Sequence, residues 1–219
     1  MLPVFEIPSH WPIYRSFDWG SARPFSLGYH ARSDGCEVRL PDGQSRYFRP
    51  GTLIRVAEFY GTSHSGSNEG LRWTNRRIAK EGLRYERECP QLRDRAIKPG
   101  AADAAIFSKS TGYEKSVNEE MEEEGMAFEA APKGPGSRRK RLEFLRSRLE
   151  ASLSHPMEAA GLFAFETCRE FRRQLPSLPR DPNDYEVVDT DAEDHLYDEL
   201  TYQLTVEELT THGLSFALN

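Results

Sequence analysis

Cysteine is scarce in this 219-residue chain and long apolar runs are absent, and each shortage closes off a class of protein. The three cysteines, Cys36, Cys89 and Cys168, are far apart, odd in number and in no C-x-x-C arrangement, which predicts reduced, structural thiols. No apolar stretch approaches the roughly 18 to 20 residues needed to cross a bilayer, so no membrane partner is expected. The opening MLPVFEIPSHWP lacks the basic start and apolar region of a signal peptide, and a cytoplasmic protein is expected. Nor is there an excess of positive charge. The net charge of −6 argues against non-specific attraction to nucleic acid over the whole surface. Nearly all of the acidic excess comes from 119–124 and 181–199, however, so a local basic footprint stays open.

A nucleotide-binding loop is also missing. Pro132-Lys133-Gly134-Pro135-Gly136-Ser137 resembles one superficially. It lacks the G-x-x-x-x-G-K-[ST] spacing by which backbone amides and a lysine hold phosphates.

What is present suits one globular domain over 1–219, with a core from about 13 to 205. Two β-prone runs, around Phe17 and around Leu27, flank Trp19-Gly20-Ser21 and read as an antiparallel pair. Pro41-Asp42-Gly43 tips a small hairpin, and 52–60 alternates like a third strand of the same sheet. The polar segment 61–70 reads as a mobile loop. From 69 to 88 the pattern turns helical, with a basic face of Arg72, Arg76, Arg77, Lys80, Arg84 and Arg87 that is either solvated or a phosphate footprint. A broken apolar run over 96–107 predicts a strand with Asp103 at its rim. An acidic helix over 114–125 ends on Gly125, and 126–131 is a short strand. Ser137 is the expected N-cap of a helix to about Leu153. A strand over 161–166 and a short helix from Thr167 to about Gln174 precede a carboxylate-crowded final helix.

Asp18 closes the first strand. Taken alone it reads as turn chemistry, as does Asp103 in its alanine-rich surroundings. Asp194 and Asp198 are four apart and project from one helix face. Acids from two strand ends and a final helix can converge at one edge of a mixed α/β sheet. Such hard oxygen donors suit Mg²⁺ or Mn²⁺, and a cation resolves the repulsion that clustered carboxylates otherwise suffer. Arg138, Arg139, Lys140 and Arg141 crowd the first turn of a helix, where cations are slightly unfavourable, and this makes phosphate contact plausible.

The stretches FDWGSARPFS, KPGAADAAIF, FETCREFRRQLPSLPRDPND and VDTDAEDHLYDELTY, in this order, resemble the C-terminal nuclease domain of the large terminase subunit of tailed bacteriophages and prophages. The resemblance runs from about Tyr14 to Leu204. It implies a ribonuclease H-like fold, akin to retroviral integrases, with a mixed sheet flanked by helices. It also implies an endonuclease that cuts concatemeric viral DNA during genome packaging in the bacterial cytoplasm. Asp18, Asp103, Asp194 and Asp198 then become catalytic residues holding two Mg²⁺ or Mn²⁺ ions, with Asp198 the first choice over Asp194 as third principal ligand, and His195 and Glu199 close enough to assist. Two-metal hydrolysis would proceed by in-line attack of water on a backbone phosphorus. Arg138, Arg139, Lys140 and Arg141 would bind double-stranded DNA.

Two departures stand out. Thr201 precedes Tyr202 where the family commonly has arginine, and the ATPase motor of a full large terminase is expected to be absent from these residues. The implied partners are the portal, the small terminase subunit and, if this is a fragment, the ATPase domain of the same polypeptide. A resolvase- or transposase-like nuclease of the same fold and a non-catalytic DNA- or portal-binding module remain the alternatives.

Overall fold

The computed structural model describes residues 1–212 apart from Ser110, Tyr113 and Thr190. Its strands are β1 (Ile13–Asp18), β2 (Ser26–Arg32), β3 (Glu37–Arg39), β4 (Ser45–Tyr47), β5 (Leu53–Tyr60), β6 (Ile97–Ala102), β7 (Glu129–Ala130) and β8 (Leu162–Ala164). Its helices are α1 (Asn75–Glu88), α2 (Val117–Glu122), α3 (Ser137–Ala151), α4 (Arg169–Gln174) and α5 (His195–His212), with a 3₁₀ turn over Ala104–Phe107. Six strands form one mixed sheet in the order β7-β6-β1-β2-β5-β8, while β3 and β4 make a separate hairpin. The pairs β1–β2 and β2–β5 are antiparallel; β1–β6, β6–β7 and β5–β8 are parallel. Helices lie on both faces.

The two faces differ because alternate side chains of each strand point opposite ways. Phe17, Leu27 and Tyr29 form the apolar face under α1, where Phe17 stacks on Phe128 at 5.1 Å and Tyr29 meets Tyr85 at 5.9 Å. On the other face Ser16, Ser26, His30 and Arg55 surround Glu199 of α5. Gly28 lies between them because a Cβ there would run into Glu199 Oε1 and Arg55 Nη1. The helix therefore crosses the sheet close to its backbone, and only glycine leaves room.

One irregularity in β6 shapes the acidic edge of the sheet. From Arg15–Pro99 to Phe17–Ala102 the register advances two residues on β1 and three on β6. The extra residue is a bulge at Pro99-Gly100, and the Ala101 amide beside it donates instead to Gln203 Oε1 of α5, at 3.1 Å. A slip of one residue reverses which face a side chain takes. The bulge thus brings Asp103, immediately after β6, into phase with Asp18 at the end of β1.

Several expected boundaries shift. The helix expected from 69 begins at Asn75, capped by the Thr74 side chain accepting from the Arg77 amide. Ser137 is not an N-cap but the first residue of α3; Gly136, at φ +75°, holds the cap position with no side-chain hydrogen bond. The strand at 126–131 shrinks to two residues. The loop 61–70 is tied down, with Thr62 Oγ1 donating within it and Ser65 donating to Glu170 at 2.6 Å. The basic face of α1 meets the acidic α2 segment: Arg76 pairs with Glu123 and with Glu124 at 3.0 Å, and Lys80 with Glu124 at 3.4 Å. Two oppositely charged runs that look like separate surfaces in the sequence thus neutralise each other.

Candidate active site

Asp18 ends β1, and Asp103 follows β6, its parallel neighbour. The N-terminus of α5 comes over the same edge. Asp194 immediately precedes the helix, its carbonyl accepting from the Asp198 amide at 2.8 Å, and Asp198 sits one turn on. Four carboxylates from three elements are thereby gathered at one edge of the sheet.

Each acid has a different partner. Asp18, only 7% exposed, has Oδ2 2.9 Å from His195 Nδ1. Burial pushes Asp18 up to about 7 against the pull of His195, and the charges of Asp198 and Asp194 add to the rise. Burial likewise lifts Asp194 to about 6, with Asp198 contributing. Asp198 is raised by burial too, while Arg141 opposes the shift from 2.9 Å. Asp103 is lowered: burial acts to raise it, but the Ala105 amide at 2.8 Å, Lys133 and Tyr202 outweigh that. Burial also works on His195, pulling it down, yet Asp18 and then Asp194 and Asp198 hold it above the usual histidine range.

Tyr202 joins the cluster. Its hydroxyl lies 3.1 Å from Asp103 Oδ2 and 3.4 Å from Asp198 Oδ2, and the Arg141 guanidinium rests 4.9 Å above its ring. Neither Tyr202 nor Lys133 stands out as a site residue in the sequence. The signal for Tyr202 is the continued spacing of four, 194 to 198 to 202, which keeps one face of α5 toward the acids. Lys133 belongs to the segment that fails as a nucleotide loop, and its ammonium pairs with Asp103 instead.

The four basic residues of α3 divide. Arg141 is drawn into the acid cluster, only 12% exposed at its side chain. Arg138 donates to the Val188 carbonyl at 2.9 Å, and Arg139 pairs with Asp184 at 2.8 Å on the surface. Arg138 and Arg141 line a small recess with Asp194, Tyr197 and Asp198, so the basic turn abuts the acids. Glu199 does not join the site. It is wholly buried between α5 and the sheet, where Ser16, Ser26, His30 and Arg55 hold it. Burial acts to raise it, but Arg55 and then His30 bring it down to about 2.

A cleft of about 360 Å³ opens beside Asp18 and Asp103, lined also by Trp19, Asn75, Lys115 and Glu120. Trp19 is 41% exposed and fixed by its Nε1 donating to Asn75 Oδ1 at 2.9 Å. Among the described residues the four acids do not bring three donor oxygens within 4.8 Å of one another. They are spread wider than the donors of a closed single-ion cage, while their hard oxygens suit divalent cations and a cation would relieve the repulsion that helps raise Asp18, Asp194 and Asp198.

No protein-family model and no curated protein matches the chain. Solved structures do. The nuclease domain of the P22 large terminase superposes with a TM-score of 0.59 at 13% identity, over 95% of this chain and 87% of that one. The large terminase of the thermophilic bacteriophage D6E gives 0.58 at 14% identity, over 94% of this chain and 42% of that one. This chain has the terminase-nuclease fold. It spans about two fifths of the length of the D6E protein. Within the terminase-nuclease fold, a ribonuclease H-like architecture, the mixed six-stranded sheet carries its acidic edge where the parallel pair β1–β6 ends under α5. No helix among the described residues is long and apolar enough to cross a membrane.

Proposed function

We propose that the chain is a DNA endonuclease of the terminase-nuclease type, dependent on two Mg²⁺ or Mn²⁺ ions held by Asp18, Asp103, Asp194 and Asp198. The observation that carries this reading is the convergence of those acids at one sheet edge beside an open cleft, on the terminase-nuclease fold. When bound, such ions supply a water of lowered pKa and positive charge against the departing oxygen of a phosphodiester.

The chain's own residues do the rest. His195 fixes the rotamer of Asp18 through Oδ2. Tyr202 spans Asp103 and Asp198 and holds their spacing. Lys133 and Arg141 neutralise these two carboxylates and can turn toward a phosphate once cations occupy the acids. Arg138, Arg139 and Lys140 line the turn next to Arg141 and steer the DNA backbone without reading sequence. Trp19 presents an aromatic face at the mouth of the cleft.

The physiological substrate on this reading is concatemeric phage DNA, cut during packaging in the host cytoplasm. The partners are double-stranded DNA, the portal, the small terminase subunit and an ATPase motor. The test is cleavage of supercoiled plasmid with Mn²⁺, Mg²⁺ or EDTA, comparing wild type with Asp18→Asn and Asp198→Asn. Metal-dependent nicking and linearisation lost in both variants is the expected result. Intact plasmid in every lane from folded protein would overturn the reading.

A further inference from the structure

A second cluster of metal-ligating side chains lies at the other end of the sheet and plays no part in the nuclease reading. His10 precedes β1, and Asp34 and Cys36 follow β2. The β1–β2 register pairs Asp18 with Ser26 at one end and Ile13 with Ala31 at the other, so roughly 17 Å of strand separates this cluster from the acids. Among the described residues, it is here that three His, Cys or carboxylate ligand atoms lie within 4.8 Å of one another.

The geometry separates two readings. In a cysteine nucleophile activated by a histidine–carboxylate pair, the thiol and the acid use different ring nitrogens. Here both meet the same one: Asp34 Oδ2 lies 3.0 Å and Cys36 Sγ 3.9 Å from His10 Nε2. Three donors turned toward one point is the arrangement of a metal tripod. For tetrahedral zinc, bond lengths of about 2.0–2.3 Å imply ligand-to-ligand separations of about 3.3–3.8 Å, and the two observed distances bracket that range.

The surroundings brace the tripod. Trp11, buried in the core, donates from Nε1 to Asp34 Oδ1 at 2.9 Å and leaves Oδ2 facing His10, the kind of outer hydrogen bond that orients ligating carboxylates. Gly35, at φ +102°, makes the turn that brings Asp34 and Cys36 to the same side, and its amide is held by Ser33 Oγ at 3.1 Å. The side chains of His10 and Asp34 are 56% and 52% exposed, so an ion has an entry path and a fourth position for water.

We propose that His10, Asp34 and Cys36 form a site for a borderline-soft divalent ion, zinc by preference, which clamps the N-terminal segment to the turn after β2. Thiolate and imidazole select such an ion over the Mg²⁺ or Mn²⁺ suited to the acidic edge. Coordination forms the metal–sulfur bond and releases the thiol proton to solvent.

The test is titration of the full chain with Co²⁺ in a non-thiol reductant, because a thiolate–cobalt charge-transfer band reports a cysteine ligand and the acidic edge has none. The band is expected in wild type and in Asp198→Asn, displaced by Zn²⁺, weakened in His10→Ala and lost in Cys36→Ser. Zinc should raise the melting temperature of wild type but not of Cys36→Ser. No band in wild type, or a band that survives Cys36→Ser, overturns the site, and neither outcome depends on whether the chain cuts DNA.

Discussion

Asp18 Oδ2 and His195 Nδ1 meet at 2.9 Å across 177 residues of sequence, joining the end of β1 to the first residue of α5. This contact does not offset the burial of Asp18, whose pKa still reaches about 7 from an ordinary 3.8. The folded state therefore holds a proton that the unfolded chain releases. Stability from this group is fully present below about pH 4 and is lost as pH rises through about 7, on the order of 4 kcal/mol in all. In EDTA, Asp18→Asn is expected to melt higher than wild type near pH 8 and to flatten the fall in stability between about pH 5 and pH 8. The same variant should cut no plasmid. Thermal melts across pH check the first outcome and a nicking assay the second; a destabilised Asp18→Asn protein would mean that Asp18 is structural.

Tyr202→Phe removes the hydroxyl shared by Asp103 and Asp198 while keeping the ring under Arg141. A hydrogen bond to a charged group contributes about 1.5–3 kcal/mol, so loss of this positioning is expected to slow cleavage by roughly 10- to 100-fold. A positioning role also demands a shift in the Mn²⁺ concentration needed for half-maximal rate, which a general loss of stability would not produce. Rate measured against Mn²⁺ concentration distinguishes the two.

How much of this was legible beforehand follows from the range of each interaction. The places of Asp18, Asp103, Asp194 and Asp198 are legible because strand ends and a spacing of four are local features, while their reading as metal ligands comes from the family resemblance. The β6 bulge is not legible, since Pro99-Gly100 reads simply as an interruption until β1 lies beside it. Its neighbourhood in sequence groups Glu199 with the acids, but one residue along a helix turns a side chain through about 100°, and it enters the buried network instead. Arg141 could not be told from Arg139, because their difference depends on which face of α3 meets α5. The missing family arginine at Thr201 is of the same kind: Thr201 is buried, and the guanidinium beside Tyr202 comes from Arg141 on another helix.

That division of the basic turn is testable. Arg139 pairs with Asp184 at the surface, and Arg139→Ala should weaken DNA binding equally for all sequences, lowering the salt slope by about one while leaving the maximal cleavage rate unchanged. Arg141→Ala should instead reduce the maximal rate, because it strips the counter-charge from Asp198 and the packing from Tyr202. Anisotropy titrations over a range of salt, alongside single-turnover cleavage, separate the two. Identical behaviour of both variants would leave the four residues a uniform electrostatic patch.

Glu199 supplies the opposite case to Asp18, a buried acid whose value is structural. Arg55 Nη1 at 2.7 Å, with His30 and two serines, brings its pKa from 4.5 down to about 2. Its contribution is present above about pH 4.5 and is lost as pH falls toward about 2, so this network adds to the loss of stability in acid. Glu199→Gln leaves the buried Arg55 guanidinium with Glu58 as its remaining charge partner, at 3.1 Å, and breaking a buried pair costs up to about 3–5 kcal/mol. Urea melts should show that loss near neutral pH, with a smaller difference between variant and wild type in acid. Cleavage per folded molecule should be unchanged, because Glu199 is wholly buried between α5 and the sheet and does not line the cleft. A variant as stable as wild type yet unable to cut would move Glu199 back among the catalytic acids.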